Sequence, residues 1–381
     1  MRMPRCARLA LYLCLPCLAL AQLSAAQQGI GPESQVSPPG APRDPVLTHR
    51  PPPKQPASVI PEGRIKLDVV VTGDAGKPVT GLGPMDFKIL DNDQPRKILS
   101  FRSFAGNDAK PNPPVEVILV VDTVNLPFQQ VAFIRQEIAR FLRQNGGHLA
   151  QPLSFILFTD AGIRMQPRPS TDGNALLGIV DQIKGSISTI NPAMGAEGDL
   201  MRFQRSVHQL ANIAENEARR PSRKLLIWIG PGWPLLQGPN FTFTEKNQRD
   251  YFDSIVDISS KLREARMAVY SVAASGTGLG AGEVQRFVYQ DFLKGARTPR
   301  QTDSANLSLK VIATQSGGRV LGPDNDIAGQ INTCIEDAKV FYTLSFDPPP
   351  AAQADEYHDL KVLVGQPGLT VRTNTGYYNQ P

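Results

Sequence analysis

The chain has little cysteine, and most of it is confined to one end. Its 381 residues include four cysteines, three of which lie within residues 1–26. If that segment is removed, Cys334 remains alone and no internal disulfide can form. Cys334 belongs to a series of apolar residues at helical spacing, and this pattern predicts a buried, unreactive side chain. We therefore expect a fold held together by an ordinary hydrophobic core.

Clusters of catalytic or metal-ligating residues are equally scarce. The four histidines, His49, His148, His208 and His358, stand apart from one another and from cysteine, so none has the spacing of a zinc site. No Gly-x-Ser-x-Gly motif marks a nucleophile. No stripe of lysine and arginine with interleaved aromatics occurs, so nucleic acid is not an expected partner.

Apolar runs long enough to span a bilayer are absent, but a shorter one opens the chain. Three arginines precede an apolar run over residues 9–21, and small residues follow at 24–26. This order is typical of a secretory signal, whereas the length of the run and Pro16 disfavour a membrane anchor. The formal net charge of +5 falls to +2 (5 − 3) without those arginines. We predict a secreted or periplasmic protein, without membrane insertion after cleavage of residues 1–26.

The remaining chain divides by composition. Residues 27–60 are rich in proline without apolar periodicity, which predicts an extended, disordered linker. Residues 61–110 and 347–381 carry short strand patterns, each with too few strands for a sandwich of its own. Residues 111–346 alternate strand and amphipathic-helix patterns, which predict a doubly wound, mostly parallel α/β sheet. We predict that the two flanks pair in one small β-sandwich, with the α/β domain inserted between them.

A nearly continuous apolar run begins the α/β pattern. It covers residues 115–121 and is expected of a central strand buried on both faces. Asp122 follows directly, and Asn125 is predicted to cap the next helix, with Pro127 in its first turn. The apolar face of that helix is predicted to begin at Phe128. Ligands of open α/β sheets bind outside the carboxyl ends of the strands, so the rim near Asp122 is the candidate site.

Several short segments, taken in order and at their spacing, carry a resemblance to a known family. They are Gly-Lys-Pro-Val-Thr-Gly-Leu at 76–82 with Asp-Phe at 86–87, Val-Ile-Leu-Val-Val-Asp at 117–122, Phe-Ile-Leu-Phe-Thr-Asp at 155–160, Lys-Leu-Leu-Ile-Trp-Ile-Gly-Pro-Gly at 224–232, Ala-Thr-Gln-Ser-Gly-Gly at 313–318 and Gly-Tyr-Tyr at 376–378. The chain over 61–378 resembles von Willebrand factor A-like proteins, and more narrowly the VWFA-related domain family typical of Acidobacteria. The resemblance implies a Rossmann-like fold and an exported bacterial protein that binds other macromolecules.

The resemblance also implies a cation site, from which this sequence departs. The family motif Asp-x-Ser-x-Ser would give a hard cation several oxygen ligands. Asp122 occupies the first position, but apolar residues replace both serines, and Gly-Pro-Gly at 230–232 replaces a later Thr-Asp-Gly. Asp122, Thr123 and Asn125 are the remaining oxygen-bearing side chains. We predict no metal or cofactor and structural roles for these residues, with Mg²⁺ or Ca²⁺ as the alternative.

Two tryptophans flank the Gly-Pro-Gly turn. Trp228 is predicted to pack under the sheet, while Trp233 is either an exposed anchor for a partner or a lid packed over the turn. We predict a non-enzymatic protein-binding module with a degenerate metal-ion-dependent adhesion site and an unidentified protein partner. The predicted binding rim consists of Asp122, Thr123, Asn125, Trp233 and the Gly-rich segment 274–302. The alternative is a hydrolase or another enzyme that uses acidic residues at this rim, which the lack of a nucleophile–base pair disfavours.

Export makes a direct prediction about the mature amino terminus. Protein recovered from the periplasm or the culture fluid should begin near Gln27, because signal peptidase cleaves after small residues such as those at 24–26. Mass spectrometry of the amino-terminal peptide measures this. Soluble cytoplasmic protein that retains residues 1–26 intact would contradict export.

Overall fold

The computed structural model describes residues 63–74, 76–104, 114–183, 190, 194–236, 244–274 and 288–381. The predicted signal and the linker at 27–60 lie outside these residues. Within them, no helix combines the length and the apolar character needed to cross a membrane.

The described residues form fifteen strands and six α-helices. The strands are β1 (Ile65–Thr72), β2 (Phe87–Asp91), β3 (Gln94–Arg96), β4 (Ser100–Phe104), β5 (Glu116–Asp122), β6 (His148–Thr159), β7 (Gly162–Met165), β8 (Ser170–Asp172), β9 (Lys224–Ile229), β10 (Met267–Ala274), β11 (Val320–Asp324), β12 (Phe341–Phe346), β13 (Glu356–Val364), β14 (Thr370–Arg372) and β15 (Gly376–Asn379). The helices are α1 (Phe128–Leu142), α2 (Gly173–Asp181), α3 (Gly195–Ala218), α4 (Glu245–Glu264), α5 (Leu309–Gln315) and α6 (Ile327–Lys339).

Seven strands form the large sheet, in the order β11-β10-β9-β5-β6-β7, with β8 also paired to β6. Strands β5, β6, β9, β10 and β11 run parallel. Strands β7 and β8 pair with β6 in the antiparallel sense. The prediction of a mixed α/β protein with a mostly parallel sheet is therefore confirmed.

The central strand β5 explains why helices cover both faces of this sheet. All seven of its residues are buried, and successive side chains enter opposite cores. Val117, Leu119 and Val121 pack with residues of α1, α2 and α6, including Cys334. Ile118 and Val120 pack with residues of α3, α4 and α5. Burial raises the pKa of the Cys334 thiol well above its usual range, so this side chain is a buried hydrophobe, as predicted.

Two four-stranded antiparallel sheets enclose a third core. Their orders are β14-β1-β12-β4 and β15-β13-β2-β3. Strand β1 pairs with β14 and β2 with β13, which joins strands from the two flanks of the α/β segment. Leu67 and Tyr342 from one sheet pack with Ile89, Val362 and other residues of the second sheet.

Strand β12 differs from the expected grouping. The sequence pattern assigns it to the α/β segment 111–346, yet it lies between β1 and β4 in an antiparallel sheet. All six of its residues are buried. A fully buried strand has the same continuous apolar pattern in either kind of sheet, so the pattern alone does not identify its neighbours.

A buried carboxylate connects α6 to strands of different sheets. Asp337 accepts hydrogen bonds from the guanidinium groups of Arg319 and Arg372, with shortest distances of 2.7 and 2.6 Å. It also accepts a 2.9 Å hydrogen bond from the hydroxyl of Tyr270 in β10. Although burial opposes ionisation, the two arginines lower the pKa of Asp337 to about 2. The carboxylate is therefore charged and fully paired, as a buried charge must be.

A second, partly buried ion pair links β1 to the corner between α4 and β10. Arg266 has a φ of 52°, a region that glycine adopts more easily than arginine. Its guanidinium donates two hydrogen bonds to Asp68, at 3.0 and 2.6 Å, and a third to the carbonyl of Pro221 at 2.9 Å. Burial opposes ionisation of Asp68, but Arg266 lowers its pKa below the usual value. The side-chain contacts thus explain why arginine occupies a strained backbone position.

We predict that Arg266→Gly destabilises the protein by about 2 kcal/mol. Glycine relieves about 1–2 kcal/mol of backbone strain. Asp68 is only 12% exposed, so the loss of its charged partner costs about 3–5 kcal/mol, although the hydroxyl of Thr343 still donates to it. Urea unfolding followed by circular dichroism measures the difference. Asp93→Gly is the matched control, because Asp93 has a φ of 62° but forms only an exposed ion pair with Lys361. The control should change stability by less than about 1 kcal/mol, and equal effects of the two variants would contradict the assignment.

Candidate functional site

The candidate site lies where the strand order of the large sheet reverses. The chain proceeds from β5 to β6 on one side and later continues through β9, β10 and β11 on the other. Strands β5 and β9 are parallel neighbours, so their carboxyl ends meet at the same edge. Asp122 ends β5, and Gly230 follows β9. In open α/β sheets this switch point is where a crevice for ligands forms.

The carboxylate of Asp122 is fully buried and accepts four hydrogen bonds. Its Oδ1 accepts from the backbone N–H groups of Val124 at 3.1 Å and Asn125 at 3.0 Å. Its Oδ2 accepts from Nδ2 of Asn125 at 2.8 Å and from Nε1 of Trp228 at 2.9 Å. Burial raises the pKa of Asp122 to about 6, although all four hydrogen bonds favour the charged form. A carboxylate offers about four lone-pair positions, so these donors leave none for a cation or a substrate.

Thr123 is buried and fastens the rim to β6. Its hydroxyl donates a 2.7 Å hydrogen bond to the carbonyl of Phe158, and its backbone N–H donates to the same oxygen at 2.9 Å. Thr123 therefore shapes the turn after β5 and does not present its hydroxyl to a ligand.

Asn125 is half-buried, and the prediction that it caps a helix is wrong. Helix α1 begins at Phe128 with Pro127 in the cap position, and no side chain accepts from its first turn. The Nδ2 atom of Asn125 instead donates to Asp122 and, at 3.0 Å, to Oγ of Ser206 in α3. The amide donates to the buried carboxylate of Asp122, three residues earlier, because a hydrogen bond to a charged group is stronger than one that caps a helix between neutral groups.

Trp233 is buried, so it is not the exposed anchor proposed for the rim. Only 6% of its surface is exposed, and its Nε1 donates a 2.8 Å hydrogen bond to the carbonyl of Leu307. Its ring packs edge-on against Trp228 with a centroid distance of 5.3 Å. Gly232, with a φ of 86°, lets the chain fold back here. This geometry fits the alternative role of Trp233 as a packed lid.

The Gly-Pro-Gly turn also explains how the carboxylate of Asp122 is shielded from solvent. A Cβ atom on Gly230 would lie 3.0 Å from the Cβ of Asp122. A side chain at position 230 would therefore crowd the buried carboxylate. The turn covers Asp122 because glycine lets two backbones approach closely.

The sequence pattern did not predict that Phe128 lies at the surface. Its side chain is 59% exposed, although it was predicted to start the apolar face of α1. That face is buried only from Val131 onward. Pro127 and Gln129 beside it are also exposed, so the start of α1 presents an uncharged tip next to Asn125. The signal in the sequence is the proline, which marks the helix start and makes Phe128 the first helical residue.

The described residues offer little for catalysis or metal binding elsewhere. They contain no group of three or more His, Cys, Asp or Glu side chains placed to hold a metal ion. His358 contacts Asp91 through Nδ1 at 2.7 Å, and the hydroxyl of Tyr377 donates to Asp91 at 2.9 Å, but all three side chains are buried. His148 and His208 are exposed single histidines. His49 and much of the Gly-rich segment 274–302 lie outside the described residues.

A cavity of about 100 Å³ lies away from the rim. It is lined by Val117 near the amino end of β5, by Phe141 and by Ile335 of α6.

Comparisons with known proteins do not assign a family. No family model matches the chain, and no curated protein sequence matches it. Similar solved structures include the human COPII-coat protein Sec24c, at 9% identity and a TM-score of 0.29, over 70% of this chain and 44% of that one. The pilus adhesin SpaC from Lactobacillus rhamnosus GG matches at 12% identity and a TM-score of 0.30, over 81% of this chain and 43% of the adhesin. The SpRpn10 VWA domain matches at 11% identity and a TM-score of 0.21, over 51% of this chain and 93% of that domain.

The first two of these matches cover less than half of the neighbour's own length. At such identities and scores, the neighbours carry no argument about activity, partners or ligands. The relation to von Willebrand factor A domains therefore stays a resemblance of sequence pattern.

We predict that the protein binds no divalent cation tightly. Titration calorimetry with Mg²⁺, Ca²⁺ or Mn²⁺ should show no saturable heat, because Asp122 has no free oxygen. The thermal unfolding midpoint should likewise be unchanged by these ions, since a ligand stabilises only the state that binds it. A stoichiometric site that disappears in Asp122→Ala would contradict this prediction.

Proposed function

We propose that this chain is an exported binding protein with a von Willebrand factor A-like domain that recognises another protein through its carboxyl rim. Binding needs no metal ion, and the domain catalyses no reaction. The partner contacts the tip at the start of α1 and not the buried carboxylate beneath it.

The strand order supports the von Willebrand factor A-like part of this proposal. Counted along the large sheet from β7 to β11, the strands follow the chain order 3-2-1-4-5-6, with the third strand antiparallel. This is the order of doubly wound sheets that bind ligands at the switch point. The motif residues at 117–122 and 224–232 fall on β5, on β9 and on the turn after β9, the elements that meet at this point.

The observation that carries the proposal is the contrast between Asp122 and Phe128. Asp122 is buried with both oxygens engaged, whereas Phe128, six residues later, exposes 59% of its surface. Exposed aromatic side chains are enriched at protein interfaces, where charged side chains are depleted at the core. The neighbouring exposed residues Pro127 and Gln129 carry no charge. A tip with an exposed aromatic ring and no charge favours binding by packing over binding through a bridging cation.

The same contacts weigh against an enzyme that uses acids at this rim. A general acid or base must reach the proton it transfers within hydrogen-bond distance. The oxygens of Asp122 face two backbone N–H groups, an amide and an indole, and its side chain has no exposed surface. The hydrolase alternative would therefore need acidic residues other than Asp122.

We predict that Phe128→Ala lowers the recovery of the partner at least tenfold, because a buried interface aromatic contributes about 2 kcal/mol or more. The full chain would be immobilised and exposed to the exported fraction of the source cells, and bound protein would be quantified by mass spectrometry. Met85→Ala is the matched control, since Met85 is 95% exposed and precedes β2 in the antiparallel part.

The partner should be retained equally by the wild type and Met85→Ala, and a chelator should not release it. Retention that is unchanged in Phe128→Ala but lost with a chelator would overturn the proposal. Turnover in a broad hydrolase screen by wild-type protein, lost in a rim variant, would support the enzyme instead.

A further inference from the structure

The outer face of the sheet β14-β1-β12-β4 carries polar side chains that the core of the antiparallel part does not use. Leu67, Phe101 and Leu344 pack into the core between the two antiparallel sheets, so alternate residues of the same strands point outward. In register, these outward residues form two rows across β1, β12 and β4: Lys66, Ser345 and Ser100 in the first, and Asp68, Thr343 and Arg102 in the second. Lys66 is half-buried, whereas Ser100 and Arg102 are exposed, so this part of the face is open to a ligand.

Two positive charges on this face have no counterion among the described residues. Lys66 and Arg102 form no ion pair there, and the carboxylates in or beside the three strands are already engaged. Asp68 in β1 is bound by Arg266. Asp347, which directly follows β12, is also bound by an arginine, at 2.9 Å. The face therefore holds two cations, on β1 and β4, that a bound anion could compensate.

The surroundings of Lys66 reflect this excess of positive charge. Burial lowers the pKa of Lys66 below its ordinary value, and the charges of Arg266 and Arg102 lower it further, although Asp68 acts in the opposite direction. The ammonium group is disfavoured because an ion partly removed from water needs a partner of opposite charge. An anion bound beside Lys66 would supply that partner.

A pair of serine hydroxyls completes the cluster. Ser345 lies directly opposite Lys66. Its Oγ is 2.5 Å from that of Ser100, which lies two residues before Arg102 in β4. This contact uses one hydroxyl hydrogen, so the second hydroxyl keeps an O–H group that can donate to a ligand. The guanidinium of Arg102 lies over the ring of Phe104, 5.5 Å from its centroid, and this contact holds it on the outer face.

We propose that Lys66, Arg102 and the pair of Ser100 and Ser345 form a binding site for a phosphate group. A phosphate monoester carries about −1.5 to −2 charges at pH 7 and three strong acceptor oxygens. These features match two uncompensated cations and one O–H donor, whereas a single carboxylate would compensate only one of the cations. The site lies in the antiparallel part and goes beyond the proposed function, since it does not involve the rim.

The phosphate group can belong to a free anion or to a lipid headgroup, because both present the same acceptor oxygens. In one arm of the test, the full chain is titrated with inorganic phosphate by calorimetry, with chloride holding the ionic strength constant. In the other arm, it is sedimented with phosphatidylcholine vesicles that contain or lack phosphatidic acid. We expect saturable binding in at least one arm, and the arm that binds identifies the source of the phosphate group.

Variants that remove one charge but keep an apolar stem test the named residues. Lys66→Met and Arg102→Met should each weaken this binding at least tenfold, because each removes one of the two cations that hold the anion. Lys88→Met is the matched control, since Lys88 is exposed on β2 of the other antiparallel sheet and likewise forms no ion pair among the described residues. The control should change the affinity by less than about twofold, because salt screens exposed charges that are far from the ligand.

Thermal unfolding without ligand separates a binding role of Lys66 from a structural one. Lys66→Met should unfold no earlier than the wild type, because it loses a partly buried charge that has no partner. The proposal is overturned if neither ligand binds saturably or if Lys88→Met loses as much affinity as Lys66→Met. It is also overturned if Lys66→Met unfolds earlier than the wild type while its affinity is unchanged.

Discussion

The rim of this protein is organised around one buried negative charge. A carboxylate removed from water must have donors on all its lone pairs, because unpaired burial costs several kcal/mol. Four N–H groups meet that need at Asp122, and they come from the turn after β5 and from β9. The glycine at 230 that lets the backbone close over Asp122 and the amide of Asn125 turned inward both serve this one group. A hard cation could bind Asp122 only by replacing those donors. The departure from the cation motif in the sequence and the closed geometry in the structure therefore concern the same residue.

Paired carboxylates also link the α/β part to the antiparallel part. Asp337 is paired by Arg319 and Arg372, and Asp68 is paired by Arg266. Each pair joins elements that are far apart in the chain, and the arginines lower the pKa of both carboxylates although burial opposes their ionisation. Such pairs add little net stability over apolar packing but strongly disfavour arrangements that separate them. They therefore specify how β1 and β14 meet the large sheet.

The Asp122 charge is buried, and the exposed residues Pro127, Phe128 and Gln129 at the start of α1 carry no charge. Phe128 is exposed because the buried face of α1 begins only at Val131. Trp233 is buried and donates to the carbonyl of Leu307. The exposed ring of Phe128 on this surface is the feature on which the proposed protein binding rests.

The amino-acid sequence by itself determined the α/β class, the doubly buried strand β5 and the burial of Cys334. These follow from local periodicity, because whether a strand or helix face is apolar can be judged from neighbouring residues. Only the tertiary structure decided that β12 lies between β1 and β4, that Trp233 is buried and that Asn125 binds Asp122 in place of capping α1. Trp233 finds its acceptor 74 residues later in the chain, and β12 pairs with strands that precede the α/β segment. Such partners are chosen by the packing of distant elements, and no pattern within a single segment contains them.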